Sequence, residues 1–384
     1  MTEWKKYRIK DISKKINSGG TPKSSEKSFY DGTIPWLNTK EIDFNRIRKT
    51  ERCITDEGFA NSSAKWIPKG SVIVAMYGAT AAKVAYSLID LTTNQACCNI
   101  IVDDTIADSQ FVYYYIQSSY QELLNLACGA AQQNLSLGVI ADFPILLPPL
   151  DTQRRIAAIL SSLDDKIDLL HRENATLEQM AETLFRQWFV VEAKEEWEEG
   201  KLGDICNYVT EKIDIGNVET GDYISTENMC SNKQGVVQAS SVPGNGKATK
   251  FRIDDVLLSN IRPYFKKIWL ADREGGCSAD VLCIRSKNEL YAFFSYYTIR
   301  QDEFFDYVML GSKGCKMPRG DKSHIMNWPI IIPPKDELLK FNEIAKQGIT
   351  KIRNNNKQIQ TLIQTRDGLL PRLMNGELND INCK

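Results

Sequence analysis

An internal repeat constrains the fold of this 384-residue chain more than any other feature of its sequence. The segment IADFPILLPP at 140–149 returns as IMNWPIIIPP at 325–334, an offset of 185 residues. Each run has the composition of a buried strand and ends in Pro-Pro, which stops regular structure. A weaker match at offset 184 relates KGSVIVAMY at 69–77 to IDDVLLSNI at 253–261. The sequence therefore predicts one mixed α/β unit that occurs twice.

A long amphipathic helix is predicted after each copy of the unit. Over 151–189 the apolar positions alternate at spacings of three and four residues, which is typical of a coiled coil. The second pattern has the same phase 185 residues later, and Pro371 predicts a kink or an end there. Antiparallel pairing would place Asn174 opposite Asn355, Ala181 opposite Gly348 and Trp188 opposite Phe341. The predicted pairing positions are Ile167, Leu170, Asn174, Leu177, Ile352, Asn355, Ile359 and Leu362.

The predicted fold class is α+β, with two globular mixed α/β domains in tandem. Each domain is followed by a long helix, and the two helices pair as an antiparallel coiled coil with pseudo-two-fold symmetry. The alternative is that each helix packs on its own domain and leaves its Asn exposed. The predicted boundaries are 1–150 for the first domain, 151–192 for its helix and linker, 193–334 for the second domain, 335–376 for the second helix and 377–384 for a tail.

Composition excludes several other classes of protein. No stretch approaches the roughly 20 apolar residues that a membrane helix needs, and 1–10 lacks the apolar core of a signal peptide. A cytoplasmic location is therefore expected. The ten cysteines include no CxxC spacing, which favours reduced thiols, and two histidines offer little material for a zinc site.

Catalytic motifs are missing from the sequence. It contains no Asn/Asp-Pro-Pro-aromatic tetrad, no GxxxxGK[ST] loop and no GxSxG elbow. The pair Asp164-Asp165 lies among alternating charges, so we expect a solvated or docking face there. No catalytic residue and no metal or cofactor site is predicted. A self-contained methyltransferase or nuclease, and a coiled-coil scaffold that binds no DNA, remain as alternative functions.

One order of motifs runs through the first half and, in a more divergent form, through the second. The second half keeps GSKGCKMPRGDKSHIMNWPIIIPP at 311–334 but lacks the GGTP and PW elements. In the first half the motifs are GGTPKS (19–24), IPWLNTKEI (34–42), IPKGSVIVAMYGAT (67–80), TNQACCNI (93–100) and GAAQQNLSLGVIADFPILLPPLDTQRRIAAIL (129–160). With this order of motifs the whole chain resembles the DNA-specificity subunit of type I restriction-modification enzymes.

The resemblance implies a function without catalysis. Each half would be a target-recognition domain that reads one part of a split double-stranded DNA sequence, and the helices would be the spacer between them. The chain would dock two copies of an adenine methyltransferase subunit and a restriction and translocase subunit. S-adenosylmethionine, ATP and Mg²⁺ would be bound by those partners and not by this chain.

Local charge locates the residues expected near DNA. The net charge of the whole chain is -1, but residues 1–83 hold 16 basic and 9 acidic side chains. Basic side chains position a protein on phosphates, and Asn, Gln, Arg and Lys read base edges. The predicted DNA-binding residues are Lys23, Lys27, Lys40, Arg46, Arg48, Lys83, Gln132, Gln133, Asn134, Lys247, Lys250, Arg262, Lys266, Lys313, Lys316, Arg319 and Lys322.

Overall fold

The computed structural model describes residues 4–127, 134–314 and 316–377 of the chain. These residues form two compact units. Unit 1 consists of 1–169 with 359–384, and unit 2 consists of 170–358. Two long helices contribute to both units, α5 (Leu150–Arg186) and α10 (Lys335–Met374).

Unit 1 is built around a five-stranded and a four-stranded sheet. The order in the larger sheet is β2-β10-β7-β8-β4, the smaller sheet is β5-β3-β9-β6, and the first and last strands form the separate pair β1-β11. The strands are β1 (Lys5–Arg8), β2 (Ser13–Ser18), β3 (Tyr30–Leu37), β4 (Asn45–Ile47), β5 (Arg52–Ile54), β6 (Trp66–Ile67), β7 (Val72–Ala75), β8 (Val84–Ser87), β9 (Leu91–Thr93), β10 (Cys97–Val102) and β11 (Pro144–Leu147). The shorter helices are α1 (Asp56–Ala60), α2 (Ser109–Ser118), α3 (Tyr120–Asn125) and α4 (Leu137–Ala141).

Unit 2 repeats this plan with two four-stranded sheets. Their orders are β13-β20-β17-β18 and β14-β16-β19-β15, and β12 pairs with β21. The strands are β12 (Glu198–Lys201), β13 (Cys206–Tyr208), β14 (Lys212–Asp214), β15 (Tyr223–Ile224), β16 (Lys247–Phe251), β17 (Val256–Ser259), β18 (Ile268–Leu270), β19 (Gly275–Cys277), β20 (Val281–Ser286) and β21 (Pro329–Ile332). The shorter helices are α6 (Leu202–Ile205), α7 (Ala292–Arg300), α8 (Asp302–Leu310) and α9 (Lys322–Met326).

The matching topologies confirm the predicted duplication and fold class. The apolar segments found at offset 184 are the central strands β7 and β17, whose residues are all buried. Strands buried on both faces read as continuous apolar runs, which explains why these segments stood out in the sequence. The terminal pairs β1-β11 and β12-β21 are both antiparallel. Their first strands, β1 and β12, begin directly after Trp4 and Trp197.

Each unit packs the sheet that contains β7 or β17 on the long helices. In unit 1, Val74, Phe111 and Leu160 are fully buried in one apolar core that includes Leu370 near the end of α10. Helix α10 continues through Pro371 and ends at Met374, so it does not end at the proline itself. The kink at Pro371 stays a prediction. Burial of the residues next to Pro371 in this core offsets the one helical hydrogen bond that proline removes.

In unit 2 the two helices pair antiparallel in the predicted register. Asn355 Nδ2 donates to Asn174 Oδ1 at 2.8 Å, so the predicted contact between these two residues is confirmed. The rings of Trp188 and Phe341 also lie together, 6.3 Å apart between centroids. The predicted layer of Ala181 with Gly348 is wrong, because no atom lies where a Cβ of Gly348 would pack. Ala181 instead shares the apolar core with Ile349, whose larger side chain fills that layer.

Buried charges hold the first domain to α5 in unit 1. Arg46 on β4 donates to Asp165 at 2.7 Å and to Asp168, and only 5% of its side chain is exposed. Asp164 accepts hydrogen bonds from Tyr114 on α2 and from Arg366 on α10. The expected solvated face is therefore wrong for Asp164, which is 6% exposed.

Unit 2 uses different side chains for the same purpose. Arg300 on α7, with 7% of its side chain exposed, pairs with Glu178 and Glu182 of α5. Arg353 of α10 donates to Asp254 at 2.8 Å and to the carbonyl of Ala271 at 2.7 Å. Both long helices are thus fixed to the second domain by hydrogen-bonded ion pairs.

The seven cysteines that the structure describes are free thiols. Burial raises the pKa of Cys98 to about 12 and that of Cys206 to about 11, so these thiols stay protonated at neutral pH. Among the described residues, no helix is both long and apolar enough to cross a membrane.

Replacing Asn355 by Asp should destabilise the helix pair. Asn355 is 2% exposed and donates to both Asn174 and Glu173, so a carboxylate there would lose two hydrogen bonds and face the Glu173 charge. We expect the free energy of unfolding to fall by about 2–4 kcal/mol, measured by urea denaturation. The control Asn354→Asp adds the same charge at an exposed position and should change it by less than about 0.5 kcal/mol. Equal effects of the two substitutions would contradict the buried role of Asn355.

Candidate nucleic-acid interface

Two neighbouring loops form one exposed surface in unit 1, which we name loop pair 1. It consists of the connection 76–83 between β7 and β8 and of residues 134–135. The two parts are joined by a β-bridge between Tyr77 and Asn134 and by a 2.9 Å hydrogen bond from Leu135 N to Met76 O. Asn134 and Tyr77 are exposed at this surface.

Unit 2 contains the corresponding surface, loop pair 2. It consists of the connection 260–267 between β17 and β18 and of the described residues in 313–320. Ile261 and Arg319 form the β-bridge here, and Arg262 N donates to Pro318 O at 2.8 Å. The bridged residues correspond to Tyr77 and Asn134 at offsets 184 and 185, so the contact is part of the repeat.

The backbone of the longer loop is the same in both pairs. Positive φ angles occur at Gly78 and Ala82 in loop pair 1 and at Arg262 and Lys266 in loop pair 2. Hydrogen bonds close the two loops at matching places, from Ala75 N to Lys83 O and from Ser259 N to Lys267 O. Arg262 and Lys266 are non-glycine residues in the left-handed region, which is sterically strained and is found most often at functional sites.

Loop pair 2 presents basic side chains to solvent. Lys313 is 83% exposed and donates to Asp321 at 2.9 Å, while Arg319 pairs with Asp280 at 3.1 Å. Hydrogen bonds from Lys313 and from the backbone hold the pKa of Asp321 at about 2, so its carboxylate is ionised at neutral pH. Lys316 is exposed and has no salt bridge with any residue in the described ranges.

Two aromatic side chains at the tip of loop 260–267 were missed by the sequence analysis. Tyr264 and Phe265 are 47% and 36% exposed, and their ring centroids lie 4.6 Å apart. The offset of 184 that relates β7 to β17 would have identified this loop. The sequence did not indicate that its aromatic residues face solvent, because such residues are usually buried.

The other predicted residues of unit 2 lie outside or at the edge of loop pair 2. Lys247 is exposed at the start of β16, and Lys250 lies 3.7 Å from Glu211. Lys266 pairs with Asp302 at 2.9 Å, and Lys322 begins α9 with its ammonium 5.7 Å from the Tyr208 ring centroid. The predicted residues that lie on loop pair 2 are Arg262, Lys266, Lys313, Lys316 and Arg319. Lys247 and Lys250 lie on β16, which belongs to the other sheet of unit 2.

The predicted residues of unit 1 are more dispersed. Lys23 and Lys27 are exposed, Lys40 pairs with Glu51 at 2.7 Å, and Lys83 pairs with Asp43 at 2.6 Å. Of these, Lys83 lies in loop pair 1. Gln132 and Gln133 lie outside the described residues.

For Arg46, the surroundings of the side chain argue against the predicted contact with DNA. Its guanidinium is enclosed against α5, and Arg48 beside it also pairs with Asp168, at 3.0 Å. Burial acts to lower the pKa of Arg46, but hydrogen bonds to Asp168 and Asp165 outweigh burial and raise it. A buried guanidinium that already has two carboxylate partners is not available to a phosphate, so the position of Arg46 is structural. No group of three or more His, Cys, Asp or Glu able to hold a metal ion occurs among the described residues.

Comparison with known proteins gives consistent matches over both halves. The model of the type I restriction modification DNA specificity domain matches residues 1–179 and 194–365. The type I restriction enzyme MjaIX specificity subunit of Methanocaldococcus jannaschii is 28% identical over 98% of this chain and 94% of that protein. The EcoR124I/EcoR124II specificity subunit of Escherichia coli is 29% identical over 38% of this chain and 37% of that protein. The crystal structure of a type I restriction-modification S subunit from M. genitalium shares the fold, with a TM-score of 0.58 and 16% identity over 97% of this chain and 96% of that chain.

Replacing Arg46 by Gln should affect stability and not DNA binding. The substitution removes the charge that pairs with Asp165 and Asp168, so we expect a loss of about 2–3 kcal/mol in the free energy of unfolding by urea denaturation. The dependence of DNA affinity on salt should stay as in the wild type. The control Lys27→Gln removes an exposed charge and should leave stability unchanged within about 0.5 kcal/mol. A wild-type stability for Arg46→Gln would show that this ion pair contributes little.

Proposed function

The chain belongs to the family of type I restriction-modification DNA specificity subunits, and we propose that loop pairs 1 and 2 are the surfaces with which it reads DNA. It is the DNA-specificity subunit of such a system. The observation that carries the proposal is the repetition of one loop arrangement, with the same bridge and the same backbone, in both units. Two readers of one construction fit a target that has two separate parts.

The side chains of loop pair 2 suit contact with both phosphates and bases. Lys316 is exposed, and Arg319 has 54% of its side chain exposed while it pairs with Asp280. An arginine that is held by one carboxylate keeps its remaining N–H donors for a guanine edge, the acceptor pair that Arg recognises most often. Exposed ion pairs such as this one contribute about 0–1 kcal/mol, so a phosphate or base can displace them.

Loop pair 1 has a different chemistry. Asn134 supplies an amide that can pair bidentately with adenine, and Tyr77 beside it supplies a hydroxyl group and an exposed ring. Lys83, at the end of this loop, supplies a positive charge that is paired with Asp43. The two loop pairs therefore read different bases through one backbone design, and Gln132 and Gln133 remain predicted contributors to loop pair 1.

The paired helices form the spacer and the docking surface for partner subunits. In unit 2, Met180, Leu339 and Ile344 on α5 and α10 are 57%, 49% and 43% exposed. Exposed apolar side chains on helices whose other faces are buried favour protein contacts. The partners are two copies of an adenine methyltransferase subunit, one for each repeat, and a restriction and translocase subunit.

The chain itself carries out no chemistry in this proposal. Its sequence has no methyltransferase tetrad and no nucleotide-binding loop, so S-adenosylmethionine, ATP and Mg²⁺ belong on the partner subunits. The work of the chain is to select DNA and to assemble these subunits on it, in the cytoplasm where the DNA is.

Replacing Lys316 by Gln tests the assignment of loop pair 2. If Lys316 contacts a phosphate, the substitution should weaken binding to all duplexes by a similar factor. The negative slope of log K against log salt concentration should become shallower by about 0.9. The measurement is a salt titration of DNA binding by the full chain assembled with its methyltransferase subunit.

The matched control is Lys194→Gln, which removes an exposed lysine from the acidic segment before β12. This segment repels DNA, so affinity and slope should stay at the wild-type values. Equal slopes for Lys316→Gln and the wild type would contradict the assignment of loop pair 2, and a wild-type complex that fails to bind any DNA would contradict the function.

A further inference from the structure

We propose that Tyr264 and Phe265, here named the aromatic tip, insert between base pairs and unstack one step of the DNA that unit 2 reads. This inference rests on the proposed function of loop pair 2 and adds a distortion of the DNA to it. Proteins that kink DNA insert apolar side chains between base steps in this way, and the distortion itself makes binding sequence-dependent.

The aromatic tip is exposed in a unit that buries most of its other rings. Tyr264 is 47% exposed and Phe265 is 36% exposed, whereas Phe251, Phe294 and Tyr297 are at most 2% exposed. Neither ring belongs to the apolar core clusters of unit 2. Their exposed faces are available to a flat aromatic surface, and a base is such a surface.

The loop is rigid enough to act as a wedge. Arg262 and Lys266, which flank the tip, both have positive φ angles, and neighbouring segments hold them there. Arg262 N donates to Pro318 O at 2.8 Å, and the carbonyls of Phe265 and Lys266 accept hydrogen bonds from Asn232 N and Lys233 N at 2.8 and 2.9 Å. The Lys266 ammonium is fixed to Asp302 at 2.9 Å. A loop ordered before binding loses little conformational entropy when it inserts.

The surrounding charges favour a nucleic acid over an apolar protein surface as the occupant. Lys267 lies beside the tip with its ammonium 5.8 Å from the Phe265 ring centroid, and the exposed Lys316 and Arg319 lie on the other loop of the pair. An aromatic wedge flanked by cations matches the stacked bases and phosphates of a duplex.

Unit 1 has the same loop without the wedge. At the offset of 184, Thr80 and Ala81 occupy the positions of Tyr264 and Phe265. The positive φ angles at Gly78 and Ala82 match those of the second loop, so only the side chains differ, and Ala81 is 1% exposed. The distortion is therefore expected only in the part of the target that unit 2 reads.

The test uses 2-aminopurine, whose fluorescence rises when it unstacks, in the complex of the full chain with its methyltransferase subunit and without S-adenosylmethionine. The probe replaces in turn each adenine of both strands, within and next to both parts of the target, except the methylated adenines. One step in the part read by unit 2 should brighten by at least about twofold on binding, because the inserted side chain separates the probe from its neighbouring base and removes the quenching by that base. No step read by unit 1 should do so.

The variant Tyr264→Thr with Phe265→Ala gives the second loop the residues of the first. It should abolish the fluorescence rise and weaken binding about tenfold. The slope of log K against log salt concentration should not change, since no charge is removed. The control Ile253→Ala removes a 52% exposed apolar side chain outside loop pair 2 and should leave all three readouts at the wild-type values.

Several outcomes would overturn the inference. A wild-type complex that binds its target without any brightened step outside the methylated adenines excludes the wedge and leaves the proposed function intact, and this result needs no variant. A double variant that keeps the rise excludes these two residues. A double variant that no longer binds the methyltransferase subunit assigns the tip to a protein contact. A wild-type complex that binds no DNA removes the proposed function and the wedge together.

Discussion

Hydrogen-bonded ion pairs between each domain and the long helices determine how the loop pairs are presented. In unit 1 the pair joins Arg46 to Asp165 and Asp168, and in unit 2 Arg353 joins Asp254. Removing one partner of such a pair costs about 2–3 kcal/mol, so a domain that rotated on its helix would lose much of the stability of its unit. The loops at the ends of β7 and β17 are therefore carried on rigid supports.

One ion pair of each unit uses the same helix position with opposite charge. Asp168 and Arg353 are equivalent positions of the repeat at offset 185, yet one is acidic and the other basic. The helix residue that pairs with the domain is therefore acidic in unit 1 and basic at the equivalent position of unit 2.

Most of the fold was predictable from the sequence, because it is repeated. The central strands β7 and β17, the last strands β11 and β21 and the helical seam each occur twice at an offset of 184 or 185, a regularity that chance matches do not produce. The contact of Asn174 with Asn355 followed from the heptad phase alone. The layer of Ala181 with Gly348 could not be predicted in the same way. Ile349 is the next residue along the helix, and side-chain packing places Ile349 in the core.

The functional surface was less predictable. Composition identified Lys316 and Arg319 correctly as exposed basic residues near the last strand, and it treated Arg46 in the same way although Arg46 is buried. The sequence alone does not show which residue a charged side chain pairs with, and Asp168 lies more than 100 positions after Arg46 in the sequence. The exposure of Tyr264 depends on two positive φ angles and on contacts with distant segments. Site residues of this kind become apparent only when the loops are seen together.

Reading of two separated parts of one DNA target by the two loop pairs can be tested in living cells. The most direct measurement maps methylated adenines across the genome in cells that hold the complete system, with the chain, without it, and with Lys316 and Arg319 both replaced by Gln. We expect the methylated adenines to lie in a motif of two specified parts at a fixed separation. The motif should disappear without the chain, and only one of its parts should change when loop pair 2 is altered. An uninterrupted motif, methylation that persists without the chain, or a change in both parts would contradict it.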